Sequence, residues 1–68
     1  MTIGQNIKKL RKERGITQAK LAKKIGVYQS TITWWEHDDR MPTIFNAICL
    51  ADVFGITLDE LVGRTVAK

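Results

Sequence analysis

A short stretch near the middle of the chain carries side chains that could bond to a regular array of donors and acceptors. Its polar residues recur at spacings of one, three and four, which places them on one face of a helix. They are Gln29, Ser30, Thr33, Trp34 and His37. No salt-bridge pattern fills this face. A glutamine amide can donate to N7 of an adenine while accepting from its N6 amino group, so a hydrogen-bonding role is open to this face.

The segment from Thr17 to Glu36 positions that polar face and predicts two short helices joined by a tight turn. Thr17 is suited to cap the first helix, because its hydroxyl can accept from an otherwise unpaired backbone N–H. Gly26 supplies the left-handed conformation that lets one helix stop and the next start at a steep angle. This arrangement describes a helix-turn-helix, whose second helix enters the major groove of DNA.

The rest of the chain predicts an all-α fold, a compact five-helix bundle without strands. Helices are expected at residues 2–14, 18–24, about 29–37, 44–54 and 58–62, where apolar residues recur at helical spacing. We therefore expect one domain over residues 1–63 and a short frayed tail over residues 64–68. The expected core is Ile7, Leu10, Leu21, Ala22, Ile25, Ile32, Trp35, Ile48, Ala51, Phe54 and Leu61.

Length and cysteine content bound the class of protein. Sixty-eight residues allow one domain with a modest core. The single cysteine, Cys49, excludes an intramolecular disulfide and a four-thiolate zinc site, and we expect it to be buried as a small apolar side chain. Neither a charged-then-apolar leader nor an apolar run of about 18 residues is present. A soluble, cytoplasmic protein with no membrane partner is expected.

Positive charge is concentrated in the first half of the chain. Residues 1–36 carry eight Lys and Arg against two acids, a net charge of +6. Residues 37–68 carry three against five, a net charge of −2. A one-sided basic patch is typical of a protein that binds a polyanion. Charge alone supports equally well the interpretation that these residues form a solvated helix face.

The residue types give little support for a catalytic function. The one histidine and the one cysteine have no plausible triad or metal-ligand partner, and no glycine-rich phosphate loop is present. Asp59 and Glu60 are explained as acidic residues in the first turn of a helix, where the helix dipole favours them. The sequence therefore predicts neither an enzyme nor a metal site, a cofactor or a small-molecule effector.

The order of these features resembles the lambda-repressor/Cro-like helix-turn-helix family, also called the XRE family. The matching stretches are IGQNIKKLRKERGITQAKLAKKIGV, STITWWE, RMPT and ADVFGITLDELVG, which together span roughly residues 3–63. The resemblance implies a five-helix bundle that binds double-stranded operator DNA, usually as a homodimer.

The resemblance also implies roles for single residues. It pairs Arg11 with Glu36 as a structural ion pair between the first helix and the end of the third, although charge counting would assign Arg11 to DNA. It gives Gln18 a phosphate contact and a role in bracing the recognition helix. The base-reading face is expected to comprise Gln29, Ser30, Thr33 and Trp34. The expected phosphate contacts are Thr17, Gln18, Tyr28, Arg40 and Thr43.

Four positions depart from the family pattern. Tyr28 replaces the usual small cap of the recognition helix, although its ring could reach a phosphate or a thymine methyl group. Trp34 stands where a polar or basic base-reader is common; with one N–H donor it suits a thymine methyl or sugar contact, or packing on a helix or a dimer partner. Asp38 and Asp39 replace a glycine and a polar or basic residue, and two carboxylates near a phosphate track should weaken DNA binding.

The predicted function is a dimeric repressor that occupies a pseudo-palindromic operator. Two recognition helices would lie in successive major grooves about 34–36 Å apart. Leu58, Val62 and the tail are the expected dimer contact. The alternative is a protein-interaction module, such as an antitoxin or an adaptor, because Tyr28, Trp34 and the two aspartates also suit a protein surface.

Overall fold

Five α-helices form the part of the chain that the computed structural model describes, residues 1–63. They are α1 (Ile3–Glu13), α2 (Gln18–Ile25), α3 (Gln29–Glu36), α4 (Ile44–Phe54) and α5 (Leu58–Val62). The predicted all-α fold is confirmed, and every helix end lies within one residue of its predicted position. The expected tail, residues 64–68, lies outside the described residues. None of the described helices is long and apolar enough to cross a membrane.

Threonine side chains begin four of the five helices. Thr2, Thr17, Thr43 and Thr57 each accept a hydrogen bond of 3.1 or 3.2 Å from the backbone N–H three residues further on. At the start of α3 the capping position is occupied by Tyr28, whose side chain makes no such bond. The missing cap, expected from the sequence, costs α3 about 1 kcal/mol relative to a threonine-capped helix.

The core lies between α1, α2 and α3 on one side and α4 and α5 on the other. Leu10 and Ile25, expected in the core, are half-buried at its edge. The buried apolar residues are Ile7, Leu21, Ala22, Ile32, Trp35, Ala47, Leu50, Ala51, Phe54 and Leu61.

Ala51 and Phe54 of α4 lie in the core as predicted, but the inward face of the helix is turned from the predicted one. Ile48, expected in the core, is 44% exposed, whereas Leu50 is fully buried. Cys49, expected to be buried, is exposed. Because α4 carries apolar residues on all sides, their spacing does not single out one face, and the two alanines of α4 rather than its isoleucines turn inward. Four neighbouring side chains form an exposed α4 face, which consists of Ile44, Phe45, Ile48 and Cys49.

The turn after α3 is fastened to the beginning of α1. Asp38 adopts a left-handed conformation with φ of 59°. Its Oδ1 accepts from the Gly4 backbone N–H at 3.1 Å and its Oδ2 from the Thr2 hydroxyl at 2.7 Å. A Cβ on Gly4 would lie 2.1 Å from the Trp35 carbonyl oxygen, so only glycine allows this close approach. The Asp38 carboxylate therefore serves as a cap for α1, a role that the sequence did not indicate.

Candidate nucleic-acid interface

The turn between α2 and α3 sets the angle at which α3 leaves the bundle. Gly26 ends α2 with φ of 87°, and the amides of Gly26 and Val27 both donate to the Ala22 carbonyl, at 2.8 and 3.0 Å. Leu21 and Ile32, one from each helix, are fully buried. The two helices therefore pack through apolar side chains, and the opposite side of α3 is left facing outward.

A buried ion pair fixes the far end of α3 to α1. The Arg11 Nε lies 2.6 Å from Glu36 Oε2, and the Arg11 Nη2 donates to Glu36 Oε1 at 3.1 Å. The Arg11 Nη1 donates to the Ile16 carbonyl at 3.0 Å, so the guanidinium also holds the segment between α1 and α2. The structural pair that the resemblance implied is present, and Arg11 is turned away from solvent.

Gln18 links this ion pair to the middle of α3. Its Nε2 donates to Glu36 Oε1 at 3.0 Å, and its Oε1 lies 3.2 Å from the Thr33 hydroxyl. That hydroxyl is equally close to the Gln29 carbonyl, so its single proton has two acceptors within α3 and α2. Arg11, Glu36, Gln18 and Thr33 thus form one connected set of side chains, here called the brace. The brace sets the rotation of α3 about its own axis relative to α2.

Electrostatics keep the brace ionised. Burial alone would raise the pKa of Glu36, but the hydrogen bonds from Arg11 and Gln18 and the charges of Arg11 and Lys8 outweigh it, so the pKa lies below its ordinary value. The hydrogen bond with Glu36 raises the pKa of Arg11, against the opposing effect of burial. The one carboxylate of the recognition helix is therefore neutralised locally and does not repel an approaching phosphate.

The predicted base-reading residues differ in how free their polar groups are. Gln29 and Ser30 are exposed, and within residues 1–63 their side chains make no hydrogen bond. Thr33 is half-buried and belongs to the brace, while Trp34 is 38% exposed. The first turn of α3 therefore offers the unoccupied amide and hydroxyl groups, and Thr33 offers mainly its methyl group.

The predicted phosphate contacts lie at the beginnings of α2, α3 and α4 and in the segment between α3 and α4. Tyr28 is 83% exposed and Arg40 is also exposed, so both side chains project from the surface. The hydroxyl oxygens of Thr17 and Thr43 accept from backbone amides, which leaves their hydroxyl protons as donors. The Gln18 amide is engaged in the brace.

Two arginine contacts were not expected from the sequence. Arg14 donates to the Phe54 carbonyl from Nε and Nη2, at 3.1 and 2.7 Å, and so satisfies the end of α4. Arg40 places its Cζ 4.3 Å from the centre of the Trp34 ring. Arg11 is buried, whereas Arg14 bonds to Phe54 and is still exposed. Within residues 1–63 the positive charge at the surface therefore comes from the exposed lysines of α1 and α2 together with Arg14 and Arg40.

Comparisons with known proteins agree with this geometry. The helix-turn-helix family model matches residues 7–61. The immunity repressor protein of Bacillus phage phi105 is 38% identical over 64 residues, which are 94% of this chain and 44% of that protein. The cryptic phage CTXphi transcriptional repressor RstR of Vibrio cholerae is 34% identical over 64 residues, 94% of this chain and 57% of that protein. The chain therefore spans about half the length of these two relatives.

A solved structure shows the same architecture. The P22 c2 repressor protein, crystallised with synthetic operator 9T, superposes with a TM-score of 0.89 at 29% identity, over 96% of this chain and 98% of that one. Family match, relatives and fold agree with the resemblance seen in the residues. The chain belongs to the lambda-repressor-like, XRE-type helix-turn-helix family.

Proposed function

We propose that this protein is a sequence-specific double-stranded DNA-binding transcriptional regulator, which represses by occupying its operator. The brace is the observation that carries the proposal. It fixes α3 through its last turn and its middle, while the side chains of Gln29 and Ser30 at its first turn stay unbonded. A helix held in this way presents preorganised polar groups to base edges. Two relatives named as repressors and a neighbour crystallised with operator DNA support the same role.

The division of labour follows from what each group can bond. Gln29 can contact an adenine through N6 and N7 together, and Ser30 can donate to or accept from a base. The exposed lysines, Tyr28, Arg40 and the beginning of α2 hold the phosphate backbone, which sets register and affinity. The local neutralisation of Glu36 keeps the path of the polyanion free of an unpaired carboxylate.

We propose that the protein binds a pseudo-palindromic operator as a homodimer. The exposed α4 face is the best-placed contact, because Phe45 is 77% and Ile44 58% exposed and residues 41–51 contain no charged side chain. An isologous contact sets each patch against its own copy, so an uncharged patch avoids the repulsion between two basic chains. On α5, Leu58 is half-buried against the core and Val62 is 42% exposed, so the contact expected there is the smaller one.

The dimer is tested by molar mass. Light scattering on the free protein at tens of micromolar, and on the protein bound to an inverted-repeat duplex, should give a dimer in at least the bound state. Phe45→Ser should shift both samples toward the monomer. Tyr28→Ser removes a comparably exposed aromatic from another surface and serves as the control in the free protein. An unchanged mass for Phe45→Ser would exclude the α4 contact.

The DNA role is tested by selecting sites from a random duplex pool at about 150 mM salt. Enrichment of an inverted repeat is the expected result, with affinity that falls by a log–log slope of about 0.9 per neutralised phosphate as salt rises. Enrichment of a single half-site would keep the DNA role and remove the dimer. Salt-sensitive binding without any enriched sequence would contradict a sequence-specific regulator.

A second candidate function is a protein-interaction module such as an antitoxin or adaptor. The exposed α4 face favours it, since large apolar surface away from a basic face suits a protein ligand. Failure of site selection combined with a monomeric mass would support this function. We infer no catalytic role, since the family and fold are those of DNA-binding regulators, and no small-molecule effector. We place the protein in the cytoplasm, where its proposed DNA ligand lies.

A further inference from the structure

We propose that Trp34 and Arg40 act as one unit, in which the indole ring holds the Arg40 guanidinium ready to bind a DNA phosphate. The inference rests on the proposed function and changes the role of Trp34 from base reader to positioning residue. Both residues border the surface that carries Gln29 and Ser30. Their contact joins the end of α3 to the turn that follows it.

The backbone of the turn brings the two residues together. The Trp34 carbonyl accepts from the Asp39 amide at 2.9 Å and from the Arg40 amide at 3.4 Å. This reversal requires the left-handed conformation that Asp38 adopts. Arg40 is thereby carried back over the helix, and its Cζ lies 4.3 Å from the centre of the Trp34 ring, well inside the range of a cation–π contact.

The turn that carries Arg40 is held from outside α3 as well. Both carboxylate oxygens of Asp38 are bonded at the start of α1, to the Thr2 hydroxyl and the Gly4 amide. The position of Arg40 therefore depends on contacts with two other parts of the bundle rather than on the loop alone. The same bonds keep the Asp38 carboxylate occupied, so it does not compete with an incoming phosphate for the guanidinium.

Stacking leaves the hydrogen-bonding capacity of Arg40 intact. A distance of 4.3 Å between Cζ and the ring centre suits a parallel stack, in which the five N–H groups of the guanidinium lie in its plane and point outward. Within residues 1–63 no carboxylate lies within 4.0 Å of Arg40 to form an ion pair. A phosphate accepts two such N–H groups side by side, and a guanidinium already held in place loses less freedom on binding. Each part of the geometry suits capture of a backbone phosphate.

The stack also limits what Trp34 can do by itself. One face of its ring is covered by Arg40, and the residue is only 38% exposed. An indole has a single N–H donor, which cannot match the paired groups of a base edge. A Trp34 that worked through Arg40 would affect affinity for all sequences alike, whereas a base reader would affect one position of the site.

A double-mutant cycle separates the two roles. Wild type, Trp34→Ala, Arg40→Gln and the double variant are titrated against the selected duplex over a range of salt concentrations. Arg40→Gln should weaken binding roughly tenfold, as expected for loss of a charge-assisted contact. It should also lower the salt slope by about 0.9. Trp34→Ala should weaken binding about two- to fivefold, in line with a surface cation–π contact.

The decisive comparison is Trp34→Ala in the Arg40→Gln background, where no further loss is expected. Trp34→Phe should restore most of the affinity, because a phenyl ring still stacks on a guanidinium. Site selection with Trp34→Ala should return the wild-type sequence preference. Additive losses in the cycle, or a base preference altered by Trp34→Ala in either background, would overturn the proposal. Circular dichroism of each variant establishes that the helices are intact.

The free protein supplies a test that does not involve DNA. The side-chain protons of Arg40 should show a ring-current shift in the NMR spectrum that disappears in Trp34→Ala and survives in Trp34→Phe. Equal shifts in wild type and Trp34→Ala would overturn the stack while leaving the proposed function untouched. Absence of any site-specific DNA binding by the wild type would instead overturn the proposed function, and with it the phosphate role of Arg40, even where the stack is seen.

Discussion

The outward-facing surfaces of α3 and α4 differ in polarity. The outward side of α3 carries Gln29 and Ser30 with their polar groups unbonded, while that of α4 carries Phe45 and Ile48, both apolar and exposed. The inner sides of both helices belong to the same core. The difference indicates two partners, because bases require hydrogen bonds and a protein surface rewards burial of apolar area. We therefore propose that α3 binds DNA and that α4 contacts a second copy of the chain.

The two helices are also fixed in different ways. Helix α3 packs through Ile32 and Trp35 and is held in addition by the brace and by the bonds of Asp38, which are polar and directional. Helix α4 is held by packing of small and large apolar residues, together with Arg14 at its last carbonyl. Directional bonds fix rotation about the helix axis better than apolar packing does, and rotation decides which side chains face a groove. This distinction leads to different expected stability costs for substitutions in the brace, in the apolar core and on the exposed surface.

The largest effect is expected for Glu36→Ala, which leaves Arg11 buried without its partner. Removal of one member of a buried ion pair typically costs about 3–5 kcal/mol in the free energy of unfolding. Urea denaturation should show this loss. Glu13→Ala removes the carboxylate of a solvent-exposed contact 3.9 Å from Arg14 and should change stability by less than about 1 kcal/mol. Similar costs for the two variants would show that the brace does not hold α3.

The next-largest effect is the difference in stability cost between substitutions on the buried and the exposed side of α4. Leu50→Ala empties a fully buried position and should cost about 2–5 kcal/mol. Ile48→Ala, on the exposed α4 face, should cost less than about 1 kcal/mol in the monomer, since much of that side chain is already in water. Thermal and urea unfolding at low protein concentration measure both. A cost above about 1 kcal/mol for Ile48→Ala would indicate that Ile48 lies in the core, as expected from the sequence.

A smaller effect concerns pH. Because the folded-state pKa of Glu36 lies below the ordinary value of 4.5, its ionised form stabilises the fold above that pH. The contribution is lost as pH falls through the lower folded-state pKa, where protonation breaks the bonds to Arg11 and Gln18. Glu36→Gln removes this titration, so its stability should decline less between pH 5 and 3 than that of the wild type. Parallel stability curves for the two proteins would exclude Glu36 as the titrating group.

The helices could be predicted from sequence because their signals are local. Thr17 and Thr57 lie directly before their helices, and Gly26 and Gly55 directly after theirs, so each boundary is marked within a few residues. The missing cap at Tyr28 was recognised for the same reason. The brace is not local, since 25 residues separate Arg11 from Glu36. The family resemblance implies the Arg11–Glu36 pair and a bracing role for Gln18, whereas the bond between Gln18 and Thr33 is seen only in the structure.

The errors also have physical causes. The prediction that Ile48 lies in the core is wrong because apolar residues on every side of a helix give no periodic signal, and only the neighbours of α4 decide that Leu50 rather than Ile48 is buried. Asp38 caps a helix that begins 35 residues earlier in the chain, a role that local sequence signals do not reveal, while its weakening of DNA binding stays a prediction. The stack of Arg40 on Trp34 depends on the left-handed turn between them, which composition alone does not reveal.

Site selection with Gln29→Ala beside the wild type tests whether the first turn of α3 reads DNA sequence. Gln29 is exposed, so the substitution should leave the unfolding free energy nearly unchanged. One position of each half-site should lose its base preference in Gln29→Ala, at a cost of about 1–3 kcal/mol for the best duplex. Recovery of the wild-type motif with unchanged affinity would contradict the assignment of α3 as the reading helix.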